Sequence, residues 1–335
     1  MSDQEFTKPA EIRSRQEKSF ATLIAKVLEC NEFYKKRYRS LDFKSGRKVG
    51  LSDLDKLPFV KRSDLVNDQQ SHPPFGTNLT FPVSRYTRVH HSPGGLRWMD
   101  TEESWSWWLD CWKEAYEAAS VTPDNHVFVA CSVGPSIGFW TAFEAGQRLG
   151  ALMIPGGTAK PQGQLEIMLR DQADVLVTTP GNAARLASAA ALGGYDLASC
   201  SLRMILHSDD ADHDHDAEDD AESAGWSGRK SDLTLSTELG AWAYGCGEGE
   251  HLHVNEAEFI VEVVDPHSGE VVARDDNGTQ RGELVLTNLG RVGSPLIRYR
   301  TGQVLKLSRR PCACGRRTAV LEVEALDRAP LVLAL

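Results

Sequence analysis

The chain lacks any run of about 18 consecutive apolar residues, the length a membrane-spanning helix requires, and this argues against a membrane partner. Its first twenty residues, MSDQEFTKPAEIRSRQEKSF, are charged throughout and do not pair a basic stretch with an apolar one, so no secretory leader is expected. A disulfide framework is also missing. The seven cysteines are odd in number and only Cys312 and Cys314 stand close together, which fits a reducing, cytoplasmic setting. There is no basic excess: 37 Lys and Arg face 47 Asp and Glu. The deficit is local, because residues 209–222 (DDADHDHDAEDDAE) hold nine carboxylates, and without them 38 acids face 37 bases. A nearly neutral protein with one acidic loop has no footprint for nucleic acid.

What is present supports a sizeable core. The chain has 335 residues and is 41% hydrophobic, enough for one large or two medium domains. Phe20, Leu23, Ile24, Val27 and Leu28 recur at helical spacing and predict a helix within residues 11–40. Trp105, Trp108 and Trp112 form one face of a second helix. The apolar runs HVFVACSVG, ALMIPGG, VLVTTP and MILHS alternate with helical segments, the pattern of an open, mostly parallel α/β sheet with flanking helices. The acidic loop, with few apolar partners, is expected to be disordered, although its DHDHD segment could collect a divalent ion weakly. GELVLT alternates like a strand, and Leu296, Ile297 and Tyr299 predict another one running into the polar corner Arg300-Thr301-Gly302-Gln303. The expected division is a helical segment (1–80), an α/β sheet segment (81–245) and a β-rich segment (246–335).

Cys246, His251, His253, Cys312 and Cys314 are the ligand types that tetrahedral zinc prefers, and a CxC followed by glycine makes a tight loop that turns both sulfurs one way. The turn Ser92-Pro93-Gly94-Gly95 reads by itself as an ordinary turn.

PLIRYRTG followed by CxCG, with HLHVNEAEFIVEVVDPHSGEVV upstream, resembles the phenylacetate-coenzyme A ligase branch of the adenylate-forming ligases. The resemblance implies that family's large N-terminal α/β domain with a β-rich subdomain. It also implies an ATP- and magnesium-dependent adenylation of an aromatic or small carboxylic acid, followed by thioester formation with coenzyme A. Ser92, Gly94 and Gly95 stand where the family has a Ser/Thr/Gly-rich loop around the ATP phosphates. Ser208 stands at a turn at the mouth of the site. Thr237 and Glu238 match the family's threonine, which meets the adenylate phosphate, and its glutamate, which helps hold magnesium. Thr234 and Leu235 replace the adenine-stacking tyrosine and a glycine. Gln303 replaces the carboxylate that receives the ribose hydroxyls, and an uncharged amide holds them less well. Arg298 lies in the same motif, and Arg328 matches a hinge-side arginine. Gly134, Phe139, Ile154 and Pro155 would line the acyl pocket.

Zinc-bearing members of the branch imply a structural Cys3His site at Cys246, His253, Cys312 and Cys314, with His251 as the alternate imidazole. The family's mobile C-terminal domain, which carries a catalytic lysine, has no counterpart in this sequence. A separate lysine-bearing domain or a homodimer is therefore the expected protein partner, and a catalytically inactive relative that binds a small molecule or a partner is the alternative function.

Overall fold

The computed structural model describes residues 8–41, 49–131, 137–209, 225–249 and 251–322. Residues 210–222 of the acidic loop, Gly134 and Arg328 lie outside the described residues. The chain divides into two compact units, one of residues 109–252 and one of the segments before and after it. Residues 246–252 thus belong to the first, while most of the expected segments 1–80 and 246–335 share the second. The reason is visible in its long-range hydrogen bonds: Gln16 on the first helix donates Nε2 to the carbonyls of Glu256 and Phe259, both at 2.9 Å, and Tyr34 donates to the carbonyl of Pro295 at 3.1 Å.

The unit of residues 109–252 contains strands β3 (His126–Val129), β4 (Leu152–Pro155), β5 (Val175–Thr178), β6 (Met204–Asp209), β7 (Arg229–Ser236) and β8 (Gly240–Gly245). Their order is β4-β3-β5-β6-β7-β8, parallel up to β7, with β8 antiparallel. Helices α5 (Ile137–Leu149), α6 (Pro161–Arg170) and α7 (Pro180–Gly193) make the crossovers. Val127, Phe128, Val129, Val175, Leu176 and Val177 are buried, as short strands covered by helices require. This is the α/β sheet expected from the alternating runs.

The other unit opens with α1 (Pro9–Cys30) and α2 (Glu32–Arg37). The single helix expected over residues 11–40 is broken at Asn31. Its Oδ1 caps α2 by accepting from the Tyr34 N–H at 3.3 Å, and its buried Nδ2 donates to Asn78 and Thr80. Helix α3 (Arg62–Ser71) follows, then an antiparallel hairpin of β1 (Tyr86–Ser92) and β2 (Leu96–Thr101). Helix α4 (Glu102–Ala118), whose residues from Leu109 onward belong to the other unit, carries Trp105, Trp108 and Trp112, all buried.

The β-rich part of this unit is built from β9 (His251–Val254), whose first two residues belong to the other unit, β10 (Phe259–Val264), β11 (Thr279–Asn288), β12 (Tyr299–Ser308) and β13 (Val320–Glu322). Strands β10 to β13 pair antiparallel in sequence order. GELVLT lies within β11. Leu296 and Ile297 are buried but precede the strand, which begins only at Tyr299, because Arg298 has a left-handed φ of 52° that breaks the extended run. The polar corner at residues 300–303 is an irregularity inside β12 and not a turn: pairing with β11 shifts register between Glu283 and Val285, with Gly302 at φ 76°.

Candidate functional site

Ser92 ends β1, and Gly94 and Gly95 make the tight connection to β2 with φ of 77° and 78°, a conformation that suits glycine at two successive positions. Both glycines are exposed and Ser92 is buried. The Ser92 hydroxyl accepts from Arg62 Nη1 at 3.2 Å and from Trp98 Nε1 at 3.3 Å. Two accepted bonds occupy its lone pairs, so its proton is what it has left to offer. Arg62, the first residue of α3, was not singled out from sequence. It brings a guanidinium to the hairpin end, and a Cβ added at Gly94 would lie 3.4 Å from its Nη2. The available signal was its place in LPFVKRSDL, where the family pattern has a lysine.

Thr237 and Glu238 occupy the turn between β7 and β8, and both are buried. The turn is closed by the Leu239 N–H, which donates to the Ser236 carbonyl and to Ser236 Oγ, both at 3.2 Å. Ser208 lies near the carboxyl end of β6, opposite Leu233 of β7. Its Oγ is buried with no hydrogen-bond partner among the described residues. The carboxyl ends of parallel strands are where open α/β sheets bind ligands, and a buried hydroxyl without a partner is costly unless something reaches it. Phe139 and Ile154 are buried, while Pro155 is exposed.

Gln303 is half-buried on β12, and its backbone N–H donates to Thr301 Oγ1 at 3.1 Å. Arg298 is fully engaged elsewhere. It forms a two-point ion pair with Glu262 (Nε–Oε2 3.0 Å, Nη2–Oε1 2.8 Å) and donates Nη1 to the carbonyls of Asp55 and Leu57. Its guanidinium also covers the Phe59 ring at 4.1 Å. That is the work of a clamp on the segment before α3, and it explains why a non-glycine residue is held at positive φ.

His253, Cys312 and Cys314 come together within the second unit, their ligand atoms lying within 4.8 Å of one another. His253 Nε2 is 3.4 Å from Cys314 Sγ, close to the roughly 3.5 Å that separates a nitrogen and a sulfur sharing a tetrahedral zinc. Its Nδ1 faces Thr318 Oγ1 at 3.1 Å. With the Nδ1 proton donated to that hydroxyl, the Nε2 lone pair is left toward the sulfurs, the usual outer-shell arrangement of a metal-binding imidazole. The CxC loop folds as its spacing suggests: the Cys314 N–H points to Cys312 Sγ and the Arg316 N–H to Cys314 Sγ, both at 3.5 Å. Burial opposes ionisation of Cys314, but its hydrogen bonds from Arg316 and Cys312 and the nearby Arg316 charge outweigh that, and the thiol pKa is lowered. The lowered pKa favours the thiolate, the form that binds a metal. Cys246 follows β8 and is buried, with His251 Nε2 3.9 Å from its sulfur.

No family model matches the chain. Among curated proteins, a phenylacetate-coenzyme A ligase of Thermus thermophilus is 27% identical over 314 residues, covering 91% of this chain and 68% of that protein. One of Escherichia coli is 30% identical over 286 residues, covering 77% and 58%. The chain therefore spans about three fifths to two thirds of the length of these relatives. Among solved structures, a 2-hydroxyisobutyryl-CoA ligase bound to an acyl-AMP matches with a TM-score of 0.83 at 21% identity, over 95% of this chain and 68% of that one, which establishes a common fold. No described helix is long and apolar enough to cross a membrane. The relatives, the shared fold, and the RYRTG and CxCG motifs agree: the chain belongs to the phenylacetate-coenzyme A ligase-like branch of the adenylate-forming ligases.

Proposed function

We propose that the chain serves an AMP-forming acid–coenzyme A ligase reaction, in which ATP and an aromatic or small carboxylic acid give an acyl-adenylate that coenzyme A converts to a thioester. The observation that carries this reading is the hairpin end: two glycines at positive φ, a buried serine with a proton to donate, and Arg62 against it. Backbone N–H groups of such a turn and a guanidinium suit phosphate oxygens. By the resemblance, Thr237 donates its hydroxyl to the adenylate phosphate, Glu238 holds magnesium, Ser208 offers its unpartnered hydroxyl, and Gln303 meets the ribose. Magnesium, when bound, neutralises phosphate charge. Arg62 supplies the positive charge that a lysine would bring to the family's loop. Titration calorimetry with ATP and magnesium, followed by pyrophosphate release across a panel of aromatic acids, tests the reading. Absence of ATP binding would remove it.

Gln303 favours a second reading, a relative that binds the nucleotide or acid without turnover, because an amide cannot replace the charge of a ribose-binding carboxylate. Binding without pyrophosphate release would select it, whereas activity restored by a separate lysine-bearing domain would return the first reading.

We also propose that the Cys/His cluster holds a structural zinc, with Cys246, seven residues before His253, as the fourth ligand beside His253, Cys312 and Cys314. Three thiolates and one imidazole fit a closed tetrahedral site better than any hard-cation site. His251, only partly buried, is the alternate.

A further inference from the structure

Away from the hairpin end, the unit that contains α1 and the β-rich part holds an open recess of about 260 Å³ lined by four arginines, Arg13, Arg274, Arg309 and Arg317, against one carboxylate, Glu256. Glu256 is already committed. It pairs through both oxygens with Arg309, with Nη1–Oε2 at 2.9 Å, and accepts the Ala319 N–H at 2.8 Å. Arg13 pairs with Glu17 at 3.2 Å, but both side chains are largely exposed and water screens the pair. Arg274 and Arg317 have no hydrogen-bond or ion-pair partner among the described residues. The lining thus carries four positive charges and one negative, a net of +3. Helix α1 also begins there, since Pro9 lines the recess, so the positive end of a 22-residue helix adds to the field.

Like charges gathered around a concave space repel one another and concentrate counter-ions within it. The guanidinium fork matches the oxygens of a phosphoryl group two at a time. The recess is open to solvent and its lining is arginine-rich with no aromatic ring to stack on a base, so it suits a compact, highly charged phosphoryl anion more than a nucleoside. We propose that this recess binds a compact free phosphate anion, pyrophosphate or inorganic phosphate, held chiefly by Arg274 and Arg317, with Arg13 and Arg309 contributing charge. The proposal does not depend on the ligase reading.

The test is calorimetric titration of the full chain at low ionic strength with pyrophosphate, inorganic phosphate and ATP as separate probes. The variants are Arg274→Gln with Arg317→Gln, each also made singly, Arg310→Gln as an exposed arginine outside the recess, and Arg62→Gln at the hairpin end. Arg274, Arg310 and Arg317 are at the surface, so melting curves of those variants should match the parent. Pyrophosphate is expected to bind the parent, to weaken with added salt, and to lose about tenfold or more in affinity in the double variant, the scale of one or two charge-assisted hydrogen bonds. Arg310→Gln should leave it unchanged. Four results would overturn the proposal. They are no pyrophosphate binding at millimolar concentration, an equal loss in Arg310→Gln, a loss in Arg62→Gln but not in the double variant, and ATP binding at least as tightly as pyrophosphate with the same sensitivity to Arg274 and Arg317. The third would place the anion at the hairpin end, and the last would make the ligand a nucleotide.

Discussion

Arg291 meets Asp100 in a two-point ion pair, Nε–Oδ1 2.8 Å and Nη2–Oδ2 2.7 Å, with both side chains fully buried. The guanidinium lies between Trp98 and Trp108, 5.0 and 5.2 Å from their ring centres. The pair ties the end of β2 to the loop between β11 and β12. Breaking a buried pair on one side leaves an uncompensated charge, which costs more than the pair's net contribution.

Asp100→Leu is therefore expected to lower unfolding free energy by about 3–5 kcal/mol. Asp100→Leu combined with Arg291→Met should cost less than the sum of the two single changes. Urea unfolding of the four proteins measures both quantities, and strict additivity would show that the two charges do not interact.

The zinc proposal predicts about one zinc per chain by elemental analysis of protein purified without chelator. Metal binding to such a site is folding free energy, on the order of 10 kcal/mol for structural zinc in isolated fingers. Cys312→Ser should lose the metal and several degrees of melting temperature, whereas His251→Gln should lose neither. A chain that melts identically with and without chelator would rule the site out.

Removing Arg62 tests the hairpin end. Arg62→Gln should weaken ATP binding about tenfold by removing a charge-assisted contact, and Gln can still donate to the Ser92 hydroxyl that Arg62 now serves at 3.2 Å. Gln303→Asp should act in the opposite sense and tighten ATP binding by a similar factor. Unchanged ATP affinity in both variants would separate these residues from the nucleotide.

His90 supplies a pH prediction. Burial pushes its pKa down to about 4, with Arg291, Arg88 and His91 reinforcing the shift and Asp100 opposing it. It also stacks on Trp105. The folded state thus holds the imidazole neutral while the unfolded chain protonates near pH 6.5. Stability from this group is complete above that value and falls as pH drops from about 6.5 toward 4, by on the order of 3 kcal/mol. Urea unfolding at pH 7 and pH 5 should show a loss in the parent that is smaller in His90→Gln. Equal losses would assign the acid sensitivity to other groups.

Several features were legible in the sequence because they are local. The period-two alternation of GELVLT marked strand β11 of the β-rich part, and the alternation of apolar runs marked the parallel sheet. The Ser-Pro-Gly-Gly stretch at 92–95 marked a turn, and CxC spacing alone brings two sulfurs into one loop. Where local signals misled, a distant partner was responsible. Asn31 breaks the first helix because its amide serves Asn78 and Thr80, and Arg298 interrupts the run into β12 because Glu262 and the carbonyls of residues 55 and 57 hold its side chain.

The sequence by itself determined the class of fold, the family, and the residue types available for phosphate and metal. The tertiary structure decided which of them meet. Arg62 reaches Ser92 across 30 residues, Thr318 orients His253 across 65, and Arg291 finds Asp100 across 191. Apolar periodicity reports which face of an element is buried but carries no information about the chain-distant polar group opposite it. Those pairings become fixed only when packing excludes water and each buried charge or ring nitrogen must find a specific partner.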